Sequence, residues 1–172
     1  NGGNSALDTG SFNNGGNNSI KNWNTSAATD MSFMFYNQKN FDQEIGTWNV
    51  SNVTNMSYVL GIVAGQNSST VYGAFNNGGS DSIKNWNTSK VTNMQGLFYV
   101  QPSFNQEIGT WDVSKVTDFS IMFSCYAADP AAHPGSFNNG GSNSISTWST
   151  VSALTMRAMF FSQYAFSKTI NG

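Results

Sequence analysis

Apolar residues recur along this chain at fixed distances from tryptophan. The five tryptophans, Trp23, Trp48, Trp86, Trp111 and Trp148, each follow an isoleucine by three positions: Ile20, Ile45, Ile83, Ile108 and Ile145. Eight residues after each tryptophan come Met31, Met56, Met94, Phe119 and Met156. Eleven and twelve residues after it come Met34/Phe35, Val59/Leu60, Leu97/Phe98, Met122/Phe123 and Met159/Phe160. All seven methionines fall on these positions, so the chain is an internal repeat array and has to be read as one. A phenylalanine opens each unit at Phe12, Phe41, Phe75, Phe104 and Phe137, and Phe166 opens one that does not reach its tryptophan.

Polar residues separate these positions and suggest the local elements. Positions five, eight, eleven and twelve after tryptophan are three and four apart, which predicts one face of a helix or 3-10 segment of about two turns. The serine at the third position (Ser26, Ser51, Ser89, Ser114) is placed to cap its first turn. The β-rich Ile-x-x-Trp-x-Val stretch predicts a short strand of about four residues. Strand, turn, short helix and return loop make one coil of a solenoid. Strands of successive coils would stack about 4.8 Å apart in parallel. The ladders Ile20/Ile45/Ile83/Ile108/Ile145 and Trp23/Trp48/Trp86/Trp111/Trp148 would then fill the interior, as would the methionines and phenylalanines.

Tryptophan spacings of 25, 38, 25 and 37 show a 25-residue unit alternating with one a dozen residues longer, a duplicated two-unit block. The coils run 12–40, 41–74, 75–103, 104–136 and 137–165, with a half-coil 1–11 and an unfinished coil 166–172; together they form a single repeat domain, 1–172. The chain starts at Asn1 and is cut inside repeats at both ends, as expected of a processed or excised portion of a longer protein. Two long connections, 61–74 and 124–136, recur every second coil and should emerge on one edge of the solenoid, where insertions often carry binding. Tyr72 and Tyr126 are their candidate contact residues.

Composition narrows the function. Only 9% of residues are charged, seven basic against nine acidic, which gives no electrostatic footprint for nucleic acid or an anionic membrane. Aromatic content of 14% supports an ordered core. No apolar run approaches the ~20 residues of a membrane span. The lone Cys125 can form no internal disulfide and offers no metal-ligand spacing, and its scarcity fits an extracellular protein.

Catalytic constellations are weak. Cys125 and His133 share an insert, but nothing orients the histidine, and Asp129-Pro130 and His133-Pro134 read as turn chemistry. Asp42, Glu44, Glu107 and Asp112 are scattered; Glu44 and Glu107 are the same repeat position two coils apart, about 10 Å, which makes no acid–base pair. The NNGG loops (13–16, 76–79, 138–141) lack the regular carboxylates a calcium site needs, Asp81 notwithstanding, and read as Asn and Gly supplying positive-φ turns. We therefore expect no catalytic residues, no metal and no cofactor. Sequons at Asn17, Asn24, Asn49, Asn52, Asn55, Asn67 and Asn87 arise from the repeat motif itself, Asn67 in a long insert excepted.

The strings FNQEIGTWDVSKVTDFSIMF and NWNTSKVTNMQGLF resemble the tandem repeat of BspA-like bacterial surface proteins, a divergent branch of the leucine-rich repeats, along essentially the whole chain. Two features depart from that pattern: the alternating unit length, and a fifth unit degraded to WSTVSALTM. The resemblance implies an α/β fold: a leucine-rich-repeat-like right-handed solenoid with one short parallel strand and a short helix or 3-10 turn per repeat. It also implies a non-enzymatic extracellular or cell-surface protein used for adhesion or surface structure.

Two roles follow as expectations. In the first, the protein is a scaffold that self-associates end to end into filaments, because uncapped solenoids expose apolar ladders; Leu7, Phe166 and Ile170 mark those ends. In the second, it is an adhesin contacting a host protein or glycan through the two inserts.

Overall fold

The computed structural model describes residues 10–63, 71–125 and 134–170. Successive repeats lie one upon another, and the same set of bonds joins each pair. From the first coil to the second, the amides of Met31, Phe33, Phe35 and Asn37 donate to the carbonyls of Asn55, Ser57, Val59 and Gly61 at 2.8–3.0 Å. Met56, Tyr58, Leu60 and Ile62 donate likewise to Asn93, Gln95, Leu97 and Tyr99. Met94, Gly96, Phe98 and Val100 donate to Asp118, Ser120, Met122 and Ser124, and Phe119, Ile121, Phe123 and Cys125 to Thr155, Arg157, Met159 and Phe161. A fifth bond returns from each upper coil, as in Thr54 N–H to the Thr29 carbonyl at 2.8 Å. Isolated parallel bridges mark the same register through Asp30, Asn55, Asn93, Asp118 and Thr155.

Local structure differs from the sequence expectation in two places. The Ile-x-x-Trp segment is a tight turn, not a strand: in all five units the tryptophan amide donates to the isoleucine carbonyl three residues back, at 3.0–3.2 Å. In the first, third and fifth units this turn is 3-10 helix, Asn18–Asn22, Ser82–Asn85 and Ser144–Thr147. A three-residue interval is one 3-10 turn, and here it outweighs the β preference of isoleucine.

The second difference is the stretch that follows tryptophan, which holds no helix. Its amides alternate in use: those at offsets eight, ten, twelve and fourteen leave for the next coil, while those between bond three residues back, as Met34 to Met31 and Tyr36 to Phe33. The three-residue spacing of apolar positions therefore reflects consecutive turns. These turns demand positive φ at offset ten, met by Phe33, Tyr58, Gly96, Ile121 and Ala158. The serine expected to cap a helix instead has its amide held by the side chain of the preceding Asx residue: Ser26 by Asn24, Ser51 by Asn49, Ser89 by Asn87 and Ser114 by Asp112.

The core is a set of columns. All five ladder isoleucines are fully buried. The opening phenylalanines stack in one unbroken column, Phe12–Phe41–Phe75–Phe104–Phe137–Phe166, with ring centroids 5.9–6.2 Å apart. Rings from the preceding coil insert beside it: Phe35 on Phe41 at 3.9 Å, Phe98 on Phe104 at 3.8 Å, Phe123 on Phe137 at 4.0 Å. Tryptophans stack within each two-coil block, Trp23 on Trp48 at 5.9 Å and Trp86 on Trp111 at 5.6 Å. The indole N–H groups of Trp48, Trp86 and Trp111 donate to the carbonyls of Ile20, Ile45 and Ile83 in the coil before. Trp148 breaks the series: Phe119 stands where other units have methionine, stacks on Trp148 at 6.1 Å, and the buried indole N–H has no partner among the described residues.

Candidate functional site: the two ends of the stack

The scattered carboxylates are structural. Asp42 accepts from the amides of Asn76 and Gly78, and Glu44 from the hydroxyls of Ser80 and Ser82. Glu107 repeats the Glu44 arrangement one block later, accepting from Ser144 at 2.9 Å, and Asp112 accepts from Ser114. Hydroxyls of Ser142 and Ser144 hold the Glu107 carboxyl below its ordinary value of 4.5, against the opposing effect of burial. The ionised form therefore stabilises the fold above pH 4.5, and that contribution disappears as pH falls through the depressed folded value. Glu107→Gln should lower stability at neutral pH, and its urea midpoint should converge on that of the parent protein as acid titration proceeds below pH 4.5.

Asp81, weighed above for calcium, is exposed and paired with Lys84 at 2.5 Å. Among the described residues no three His, Cys, Asp or Glu side chains come together as a metal site would need. Cys125 is buried; burial pushes its thiol up to about 11, and its sulfur accepts from Gln163 Nε2 at 3.2 Å. His133, Tyr126 and Leu7 lie outside the described residues, and Tyr72 is half-buried. Among the described residues no helix is long and apolar enough to cross a membrane.

Three interlocks escaped the sequence reading. Gln101 accepts from the Phe75 amide and donates to the Leu60 carbonyl, and Gln163 likewise joins Phe137 to Phe123. A Cβ at Gly73 would stand about 2 Å from the end of the Gln101 side chain, so any larger residue there would push that amide off its two bonds. The recurring signal was available: Gln fifteen residues after tryptophan in every second unit, answered by Gly-x-Phe. Next, Asn77 and Asn139, fully buried, accept from the amides of Ile45/Gly46 and Ile108/Gly109 and donate within their own turns. Last, a ladder of Asn13, Asp42, Asn76, Asn105 and Asn138 side chains ties each opening segment to the next. The inserts are also less separable than expected, because Ile62 and Cys125 are buried and the Gly73 amide bonds Val100.

The unsatisfied surface lies at the ends. In the last complete coil the amides of Met156, Ala158, Phe160 and Ser162, counterparts of the donors in every earlier coil, have no partner among the described residues. Met156 is 38% exposed, whereas Met56, Met94 and Phe119 at the same position are buried. An open hollow of about 450 Å³ lies there, lined by Thr150, Met156, Met159, Phe160 and Ile170. At the first coil the carbonyls of Asp30, Ser32 and Met34 have no donor among the described residues. Beside them Phe12 and Trp23 are 41% and 48% exposed, around a second hollow with Met34, Phe35 and Gln38. Among the described residues one end thus offers donors and the other acceptors, each beside exposed apolar side chains.

A family described as "Mycoplasma protein of unknown function, DUF285" matches residues 9–72 and again 66–172. The chain belongs to this family. The first DUF285 match spans one two-coil block, the second the remainder. No curated protein and no solved structure matches the chain.

Proposed function

We propose that this DUF285 protein is a non-enzymatic extracellular or cell-surface scaffold, a leucine-rich-repeat-like solenoid of the BspA-like kind, whose ends associate copy to copy. The observation that carries this reading is the pair of unlike edges: four N–H groups at Met156–Ser162 and three carbonyls at Asp30–Met34 that have no partner among the described residues, each beside exposed apolar side chains. A contact between such ends is heterologous and does not close, so it propagates as a filament. The uncharged character of both hollows supports the same reading, since nothing there repels a second copy. Sedimentation velocity across a wide concentration range, followed by electron microscopy, tests it. Species that grow with concentration into filaments support it, and a sharp monomer throughout contradicts it.

A second reading is favoured by one surface feature. Phe33, 53% exposed, stacks on Tyr58 at 5.3 Å with Tyr36 set edge-on to both, an aromatic shelf where the first insert departs. On this reading the protein is an adhesin that contacts a host protein or glycan through that shelf and the inserts. Its test is replacement of 64–70 and 126–133 by short glycine-serine links, which spares buried Ile62 and Cys125. Binding to host matrix that survives the replacement removes the inserts from this reading.

A further inference from the structure

We propose that Asn77 and Asn139 are self-modification sites that the stack holds shut: each deamidates onto its own following glycine only when its coil separates from the coil before, and the separation is then permanent. The device acts within one chain, whether or not copies associate. An asparagine followed by glycine is prone to attack on its own carboxamide, because glycine puts no side chain in the way of its backbone nitrogen. That nitrogen belongs to Gly78 after Asn77 and to Gly140 after Asn139. A bond forms between the glycine nitrogen and the asparagine Cγ, the Cγ–Nδ2 bond breaks, and ammonia leaves with the proton the glycine gives up. Water then opens the cyclic imide at either carbonyl, leaving aspartate or isoaspartate. The glycines that make the step reactive are fixed in place. Gly78 and Gly140 lie at φ +59° and +58°, and a Cβ there would come within 3.3 and 3.1 Å of the Glu44 and Glu107 amide nitrogens.

In the closed stack both reacting groups are engaged elsewhere. Asn77 is fully buried; its carboxamide oxygen accepts from the Ile45 and Gly46 amides at 2.9 and 3.2 Å. Its carboxamide nitrogen donates to the Ser80 carbonyl at 2.7 Å and the Ser82 hydroxyl at 3.2 Å. Asn139, equally buried, repeats this with Ile108 and Gly109 at 2.8 and 3.0 Å, and with Ser142 and Ser144 at 3.0 and 3.1 Å. The attacking nitrogens are held as well. The Gly78 N–H donates to the Asp42 carboxylate at 2.9 Å, and the Gly140 N–H to the Asn105 side-chain oxygen at 3.1 Å. Reaction needs the two atoms brought together in one set direction, and here each is fixed on a partner in the preceding coil. One event frees both: the third coil leaving the second, or the fifth leaving the fourth. These are the junctions between two-coil blocks, and the junctions inside a block carry no Asn-Gly step.

Neither product fits back. Aspartate lacks the N–H groups that meet the Ser80 or Ser142 carbonyl, and it places a charge where the asparagine has no exposure at all. Isoaspartate routes the main chain through Cγ and adds a methylene to a turn whose residues Asn77, Gly78 and Gly79 all lie at positive φ. A junction that has opened long enough to react is therefore marked and kept open.

The test compares the whole chain with synthetic peptides of residues 74–84 and 136–146, aged in parallel in neutral buffer. Peptide mapping that separates aspartate from isoaspartate follows each site. Asn77 and Asn139 should convert at least tenfold more slowly in the folded chain than in the peptides, and at the peptide rate once the chain is unfolded in urea. Asp42→Ala releases the Gly78 nitrogen and should speed conversion at Asn77 at least threefold while leaving Asn139 unchanged. Asn77→Asp, which is one of the two products, should speed exchange of the Met56, Tyr58, Leu60 and Ile62 amides across the same junction at least tenfold. Conversion in the folded chain at the peptide rate overturns the proposal. So does slow conversion that persists in urea, which would place the resistance in the local sequence, and so does an Asn77 rate that Asp42→Ala does not move. Junction amides that exchange in Asn77→Asp as they do in the parent overturn the permanence of the opening.

Discussion

Phe104→Ala should lower the unfolding free energy by about 3–5 kcal/mol, the cost of deleting a large buried ring whose cavity cannot collapse. Phe104 is in the middle of the phenylalanine column, between Phe75 at 6.0 Å and Phe137 at 5.9 Å, with Phe98 at 3.8 Å beside it. The backbone around it is fixed by coil-to-coil bonds on both sides, so little can move in to fill the gap. The column has a built-in control. Phe12 belongs to the same series but is 41% exposed, so Phe12→Ala should cost well under half as much. Urea unfolding of the two variants checks both numbers. Equal losses would mean that the column does not act as a packed core.

Removing one buried amide should cost nearly as much. Asn77→Ala strands the Ile45 and Gly46 amides and frees the Ser80 carbonyl, and each stranded buried amide costs ~1–3 kcal/mol, for a total of about 2–6 kcal/mol. Asn77 also sits at φ +56° ahead of Gly78 and Gly79, both likewise positive. Glycine separates the two contributions, since it adopts that φ without penalty yet has no amide to offer. Asn77→Gly should therefore recover only a small part of the loss. Full recovery would assign the cost to backbone conformation. Asn14, the same repeat position in the half-covered first coil, should tolerate alanine better.

Much of the register was legible because it rests on residues with few alternative uses. Five tryptophans and seven methionines at fixed offsets leave one alignment, and the buried columns follow it in the inner coils; at the two ends Trp23, Met34 and Met156, expected in the interior, are 48%, 38% and 38% exposed because no described coil covers them. Local conformation was less legible. A three-residue interval between apolar side chains serves a helix and a run of tight turns equally well, and positive φ at Phe33, Tyr58 and Ile121 has no signature in those residue types. The Asn-Gly-Gly loops were readable as left-handed turns. The burial of Asn77 and Asn139 was not, because asparagine in such a loop already has a sufficient local reason to be there. The glutamine clamps were hidden for another reason: Gln101 and Gln163 act between coils about forty residues apart in sequence, and only the fold brings Leu60 and Phe123 to them. Of the candidate site, the apolar ends were expected, but their donor and acceptor character depends on which way each amide points.

Residue-resolved amide exchange on the dilute monomer tests the stacking most directly. Met31, Phe33, Phe35 and Asn37 and their counterparts in the next three coils should exchange slowly, with Met156, Ala158, Phe160 and Ser162 exchanging fast. Protection at the fifth coil equal to that of the other four, or no difference between these four positions from one coil to another, would contradict it.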